Sequence, residues 1–244
     1  MLTCYDYSFA GILDSSGVDI ILVGDSLANV VLGLDKTNTV SVAEMLNHTQ
    51  AVAKAVKHSL VVTDMPYLAY QKEPAKALSF AKKFILKGAE AVKIEWFSQC
   101  KSVIKRLVKN NIPVMGHIGL TPQTAHLLGG YKVQGRSPEA AKKLIDQAKI
   151  IEDLGAFSLV LECLPYQLSQ RISKAVRIPT IGIGAGKYCD GQVLVSYDFL
   201  GLYSKKKLKF TRVYCDLSSQ IKTATKLFIK DVKKGKFPSQ SESF

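Results

Sequence analysis

No apolar run in this sequence approaches the ~20 residues needed to span a bilayer, and the opening MLTCYDYSFA has neither a basic leader nor an apolar signal core. The expectation is a soluble, cytoplasmic protein with no membrane partner. Cysteine is sparse: five residues, Cys4, Cys100, Cys163, Cys189 and Cys215, odd in number, scattered and nowhere in a CxxC arrangement. That pattern points to reduced thiols rather than to a disulfide framework or a zinc site. A G-x-G-x-x-G turn is also missing after the first strand, where Asp6, Tyr7 and Ser8 follow instead, which argues against a doubly wound dinucleotide fold. No segment is of low complexity.

Acidic residues are in short supply, 20 against 33 Lys and Arg, for a net charge of +13. Residues 201–244 carry 11 of the basic and 3 of the acidic residues, a net of +8 that leaves only +5 for the first 200. The basic character therefore belongs to a tail. It runs KKKLKF from Lys205 and then DLSSQIKTATKLFIKDVKKGKF, in which Leu217, Ile221, Leu227 and Phe228 approximate a helical stripe among lysines. A solvated helix face is the expectation, with no nucleic-acid partner.

What the chain does have is alternation. Eight short runs rich in Val, Ile and Leu (LTCY, DIILVG, SLVVTD, AVKIE, PVMGH, SLVLE, PTIGIG and QVLVSY) are separated by helical segments. Ser41 to Val56 opens with a Ser-x-x-Glu capping box, and EPAKALSFAKKFILKG and SPEAAKKLIDQAKIIEDLG close at Gly88 and Gly155. Strands alternating with helices make a parallel sheet, and eight units in 244 residues fill one (β/α)8 TIM barrel. The expected division is a barrel over 1–203 and a basic helical tail over 204–244 packed on it. The run Gly182, Ile183, Gly184, Ala185, Gly186 marks either a ligand-approaching loop or a tight barrel turn.

Five of the apolar runs stop at an ionisable side chain: Asp25, Asp64, Glu95, His117 and Glu162. Strand ends at one face of a barrel are where groups distant in sequence converge on a ligand. Asp25 and Asp64 close consecutive strands and are hard-oxygen ligands suited to magnesium, with Glu95 in reach through a water. Any one of these acids alone reads equally well as a cap for the following helix. Lys93 shares the face of Glu95 by strand alternation and suits an anionic substrate or an enolate, its competing reading being an interior salt bridge. Glu162 precedes Cys163, Leu164 and Pro165, apolar surroundings that raise a carboxylate pKa and suit a general base. His117 is the rival for that role.

The stretches TCYDYSFA (3–10), LVGDSLANVVLG (22–33), TDMPYLAY (63–70), AVKIE (91–95), GHIGLTPQ (116–123), GGYKVQGR (129–136), LVLECLP (159–165) and IGIGAGKYCDGQVLV (181–195) resemble the ketopantoate hydroxymethyltransferase family. The resemblance runs in order from residue 3 to about residue 200. It implies a barrel of the phosphoenolpyruvate/pyruvate-utilising type and hydroxymethyl transfer from methylenetetrahydrofolate to 3-methyl-2-oxobutanoate, a step of pantothenate synthesis. It further implies magnesium on Asp25, Asp64 and Glu95, oxo-acid contacts from Asp25, Ser26, Asp64 and Lys93, Glu162 as the proton acceptor, and a magnesium-stabilised enolate. Family members form rings of barrels, so a homo-oligomer of the decamer type is implied as well. The chain departs from the family pattern at Trp96 and Phe97, where a glycine follows the acid, at Glu242, where a histidine precedes Ser-Phe, and in starting almost on its first strand. A related magnesium-dependent carbon–carbon lyase and a non-catalytic basic binding protein are the alternatives.

Overall fold

A computed structural model describes residues 1–202 and 208–244. The expected boundary at 203/204, and Lys205 to Lys207 of the basic run, lie outside the described residues. The chain divides into two compact units, Met1–Val195 and Ser196–Phe244.

The first unit is the barrel. Eight strands, β1 (Leu2–Thr3), β2 (Ile20–Val23), β3 (Leu60–Asp64), β4 (Ala91–Glu95), β5 (Val114–Gly119), β6 (Ser158–Glu162), β7 (Thr180–Ile183) and β8 (Gly191–Gln192), pair in parallel in sequence order. A parallel bridge between Leu2 and Leu194, with the Thr3 N–H donating to the Leu194 carbonyl at 3.2 Å, joins the last strand to the first and closes the ring. Around it run α1 (Tyr7–Ser15), α2 (Leu27–Val30), α3 (Val42–Ala55), α4 (Tyr67–Tyr70), α5 (Ala77–Leu86), α6 (Cys100–Lys109), α7 (Pro138–Asp153) and α8 (Tyr166–Ala175). The local signals in the sequence are the ones that operate. Ser41 and Glu44 form a reciprocal capping box on α3, Ser137 caps α7 ahead of Pro138, and Gly88 and Gly155 follow their helices with φ of 97° and 88°.

Alternation along each strand sorts residues into two faces. Leu22, Val62, Ala91, Met115, Val160, Ile181 and Val193 meet inside the ring as one apolar layer. Two residues further along, ~6.6 Å up each strand, the same inward face carries Asp64 on β3, Lys93 on β4, His117 on β5 and Glu162 on β6. Glu95 is the next inward residue above Lys93. The register sets Asp64 opposite Lys93 and Glu95 opposite His117. The outward face packs on the helices, and at Gly116 it does so closely: a Cβ there would lie 2.6 Å from Ile151 of α7.

The glycine run begins in β7 and bends the chain beyond it. Gly184 and Gly186 have φ of 62° and 80°, and a Cβ on Gly186 would sit 2.4 Å from the Tyr166 Cβ. Gly186 thereby lets the chain pass close to the start of α8.

The second unit contains α9 (Ser196–Phe199) and α10 (Leu217–Lys233), the latter capped by Asp216 accepting from the Ser219 N–H at 3.1 Å. The helix expected over the basic tail is present, yet Ile221, Leu227 and Phe228 are all exposed.

Candidate active site

The strand ends bring Asp25, Asp64, Lys93, Glu95, His117 and Glu162 into one cluster at the carboxyl end of the barrel. The first five are only 1–6% exposed, so each has lost nearly all its water. The Glu162 side chain retains 15% exposure. It is the most accessible carboxylate of the cluster.

Each side chain is held by local sequence. Asp25 follows Gly24, where a Cβ would stand 2.9 Å from Ser26 Oγ and 3.6 Å from Asp64 Oδ2, so glycine lets the β2 and β3 ends approach. Across that gap the Asp25 N–H donates to Asp64 Oδ2 at 3.0 Å, while Asp64 Oδ1 pairs with Lys93 Nζ. Ser26 Oγ lies 2.8 Å from the hydroxyl of buried Tyr5, which also donates to Thr3 Oγ1 at 2.8 Å. Glu162 is fixed through its backbone. The Leu120 N–H donates to its carbonyl at 2.9 Å, and a Cβ on Gly119, whose φ is 98°, would sit 2.2 Å from that oxygen. Cys163 then turns the chain in the left-handed region at φ 50°, held by its N–H to the Ile183 carbonyl and by the Gln134 N–H to its own carbonyl, both 2.9 Å.

Four carboxylates against one ammonium make the cluster electrostatically tense. Burial, then the Asp64 charge, push Asp25 up to about 7. Burial raises Glu162 to about 8, with Lys93 opposing, and raises Glu95 well above the carboxylate range. Burial alone would lower the Lys93 ammonium, but Asp64, Asp25 and Glu95 around it outweigh that and hold it protonated. His117 is driven far below its usual range by burial and then by Lys93. It is a neutral imidazole, with Nε2 3.3 Å from Glu162 Oε2 and Nδ1 3.8 Å from Glu95 Oε1, and neither ring nitrogen in hydrogen-bonding geometry with a described group.

Among the described residues no three His, Cys, Asp or Glu side chains converge closely enough to ligate an ion unaided. The donor set nonetheless fits a hard divalent cation of the magnesium kind, which takes one or two carboxylates and completes its shell with water and substrate oxygens. The excess of buried negative charge is what such a cation would neutralise.

A sequence profile described as ketopantoate hydroxymethyltransferase matches residues 1–240. The 3-methyl-2-oxobutanoate hydroxymethyltransferase of Clostridium botulinum strain Langeland is 51% identical over 100% of this chain and 89% of its own length. That of Syntrophus aciditrophicus is 49% identical over 100% of this chain and 90% of its own. The chain belongs to the ketopantoate hydroxymethyltransferase family. Among solved structures it is similar to a 2,3-dimethylmalate lyase of the PEP mutase/isocitrate lyase superfamily (TM-score 0.61, 14% identity, 100% of this chain and 85% of that one). A phosphonopyruvate hydrolase solved with oxalate and Mg²⁺ matches at TM-score 0.62 and 12% identity, over 99% of this chain and 87% of that one. At such identities these likenesses establish the barrel fold and nothing finer.

Three neutral residues outside the strand-end ionisable set organise the site: Tyr5, Tyr70 and Gln123. Gln123 is buried in the 3₁₀ segment Pro122–Leu128, where its side-chain Nε2 donates to Asp25 Oδ2 at 2.8 Å and its backbone N–H to Glu95 Oε2 at 3.1 Å. The Tyr70 hydroxyl donates to Gln123 Oε1 at 2.8 Å and accepts the Glu95 N–H at 3.0 Å. All three residues lie inside the family-like stretches, which was the only signal able to single them out. Of the departures from the family pattern, Phe97 packs edge-on against the Tyr70 ring, centroids 5.3 Å apart. Trp96 lines an open groove of about 400 Å³ with Lys101, Lys142 and Asp146, outside the ring and away from the carboxylates.

Proposed function

We infer that this chain transfers a hydroxymethyl group from 5,10-methylenetetrahydrofolate to 3-methyl-2-oxobutanoate, giving 2-dehydropantoate for pantothenate biosynthesis. The observation that carries the reading is 51% identity over the whole chain to an enzyme named for that reaction. The geometry supports it. A base must remove the C3 proton of the oxo acid, and Glu162 combines reach, a pKa raised to about 8 and a fixed backbone. Negative charge then develops towards the ketone oxygen, and Lys93 is the buried cation of the cluster available to balance it. Asp25, Ser26 and Asp64 would orient the oxo acid, Ser26 by a hydroxyl that Tyr5 holds in place. The carbon that loses its proton to Glu162 then attacks the one-carbon unit as its bonds to the folate nitrogens break, with water supplying the hydroxyl oxygen and tetrahydrofolate leaving, so no covalent bond to the protein is required.

Magnesium would be held by Asp25 and Asp64, with Glu95 behind them, and when bound it supplies Lewis-acid polarisation of a 2-oxo acid. The barrel likeness to carbon–carbon lyases rests on 14% identity or less and does not favour their reaction here. Incubation with 3-methyl-2-oxobutanoate, magnesium and methylenetetrahydrofolate tests the proposal: 2-dehydropantoate should accumulate only with all three, and cleavage activity without folate would instead identify a lyase.

We also propose a cytoplasmic homo-oligomer. The family resemblance supports this reading, and Ile12 on α1 and Leu86 on α5, 61% and 84% exposed, are apolar positions that a second copy would cover. Sedimentation should give a mass above that of one chain at micromolar concentration, and a clean monomer would refute it.

A further inference from the structure

Gln123 has every hydrogen-bonding group of its side chain engaged. Nε2 donates to Asp25 Oδ2 at 2.8 Å and to the Met65 carbonyl at 3.0 Å, and Oε1 accepts from the Tyr70 hydroxyl at 2.8 Å and from Gln71 Nε2 at 3.0 Å. A flipped amide would point its oxygen at a carboxylate and a carbonyl, so this orientation is the one the surroundings allow. Tyr70 is locked in turn: its hydroxyl also accepts from Gln71 Nε2 at 2.9 Å and from the Glu95 N–H. The backbone N–H of Gln123 meanwhile takes Glu95 Oε2. One buried residue therefore binds a single oxygen of each of two site carboxylates that stand 70 residues apart in the chain, and among the described residues Gln123 donates to neither Asp25 Oδ1 nor Glu95 Oε1.

We propose that Gln123 is the positioning residue of this site: by occupying Asp25 Oδ2 and Glu95 Oε2, and being clamped itself by Tyr70 and Gln71, it determines which carboxylate oxygens remain for the cation and the oxo acid. The inference rests on the function proposed above. Gln123 touches no reacting atom; it acts through Asp25 and Glu95. A glutamate at 123 would keep the bonds from Tyr70 and Gln71 and set an oxygen against Asp25. A methionine would keep the volume and lose all four side-chain bonds while retaining the backbone bond to Glu95.

The test is calorimetric titration of magnesium chloride into the full chain, with and without 3-methyl-2-oxobutanoate, for wild type, Gln123→Met and Tyr70→Phe, each first shown to be folded by circular dichroism. Orienting partners behind a metal ligand are typically worth ~10–100-fold in affinity. Gln123→Met should weaken magnesium by that factor and lower kcat, with the KM for methylenetetrahydrofolate within about twofold of wild type, a split that a general loss of stability does not produce. Tyr70→Phe removes one bond of the clamp together with the acceptor of the Glu95 N–H; it should shift magnesium affinity in the same direction by less, and the two substitutions should be less than additive in the double variant. Should Gln123→Met not fold, Tyr70→Phe decides by the same readout. Magnesium affinity within twofold of wild type in the folded variant overturns the inference while the function stands. A wild type that neither takes up magnesium nor makes 2-dehydropantoate overturns both.

Discussion

Replacing Glu162 by glutamine isolates proton abstraction from one-carbon transfer, because loss of the C3 proton needs no folate. In deuterium oxide with magnesium and 3-methyl-2-oxobutanoate, wild type should exchange the C3 proton for deuterium, read by the decay of its NMR signal. With the Glu162 pKa near 8, about one tenth of the carboxyl is ionised at pH 7 before any cation binds. Exchange should therefore rise nearly tenfold per pH unit below that value and level off above it. Magnesium adds positive charge beside the group, so the midpoint should move to lower pH as the ion is titrated in. Glutamine preserves the shape and removes the proton acceptor, and losing a general base costs ~10²–10⁴ in rate, equivalent to ~3–5 kcal/mol of barrier. Oxo-acid affinity should change only a few-fold. The rival is His117, whose Nε2 is 3.3 Å from the Glu162 carboxylate. If Glu162→Gln exchanges at the wild-type rate and His117→Ala does not exchange, the base is the imidazole and the reasoning from burial is refuted.

Asp25→Ala and Asp64→Ala should each abolish turnover while Glu95→Gln is milder, and turnover that withstands a chelator or Asp64→Ala would contradict magnesium at this site. Lys93→Met should cost ~3 kcal/mol or more of stability in urea unfolding, because it strands the buried Asp64 carboxylate without its partner; a neutral outcome would show that the carboxylates are relieved in another way. Gly119→Ala sets a Cβ against the Glu162 carbonyl at a φ of 98° and should lose ~1–3 kcal/mol together with activity. The metal-free protein should lose stability as pH rises from the ordinary carboxylate range to about 8. Asp25, Glu95 and Glu162 have raised pKa values when folded, so the unfolded chain binds fewer protons across that window. His117, lowered in the fold, acts with opposite sign below its ordinary value of 6.5. Thermal melts between pH 5 and 8.5 should show the net fall, reduced by magnesium, and a melting temperature that climbs with pH would refute the carboxylate account.

The barrel was legible because its information is local. Val62 to Asp64, Val92 to Glu95 and Leu159 to Glu162 state a strand, its inward face and its polar end within a few letters, and the Ser41 box and the glycines at 88 and 155 punctuate the helices. β1 and β8 are shorter than the runs LTCY and QVLVSY suggested, two residues each, with Leu194 completing the ring by a bridge. Their hydrogen bonds depend on partners at the other end of the chain, which no local pattern reports. The same reason hides Gln123. An amide in a turn after β5 carries no periodic or charge signal, and its value lies in two acids from β2 and β4 that only the closed ring brings to it.

The layer of ionisable groups is also where this fold spends stability. Directly beneath it, Val62, Ala91, Met115 and Val160 fill the ring with apolar contacts, and continuing that packing upward would have been the more stable choice, since buried charge networks rarely outperform hydrophobic side chains of similar volume. The substitution of ionisable groups for aliphatics two residues further along four neighbouring strands therefore needs a cause other than folding. Lys93 compensates part of the cost through Asp64, and Gln123 and the Asp25 N–H satisfy individual oxygens, yet Asp25 and Glu162 remain well above ordinary carboxylate pKa values. That uncompensated remainder is the property a cation site and a general base require, and it marks this end of the barrel as selected for chemistry.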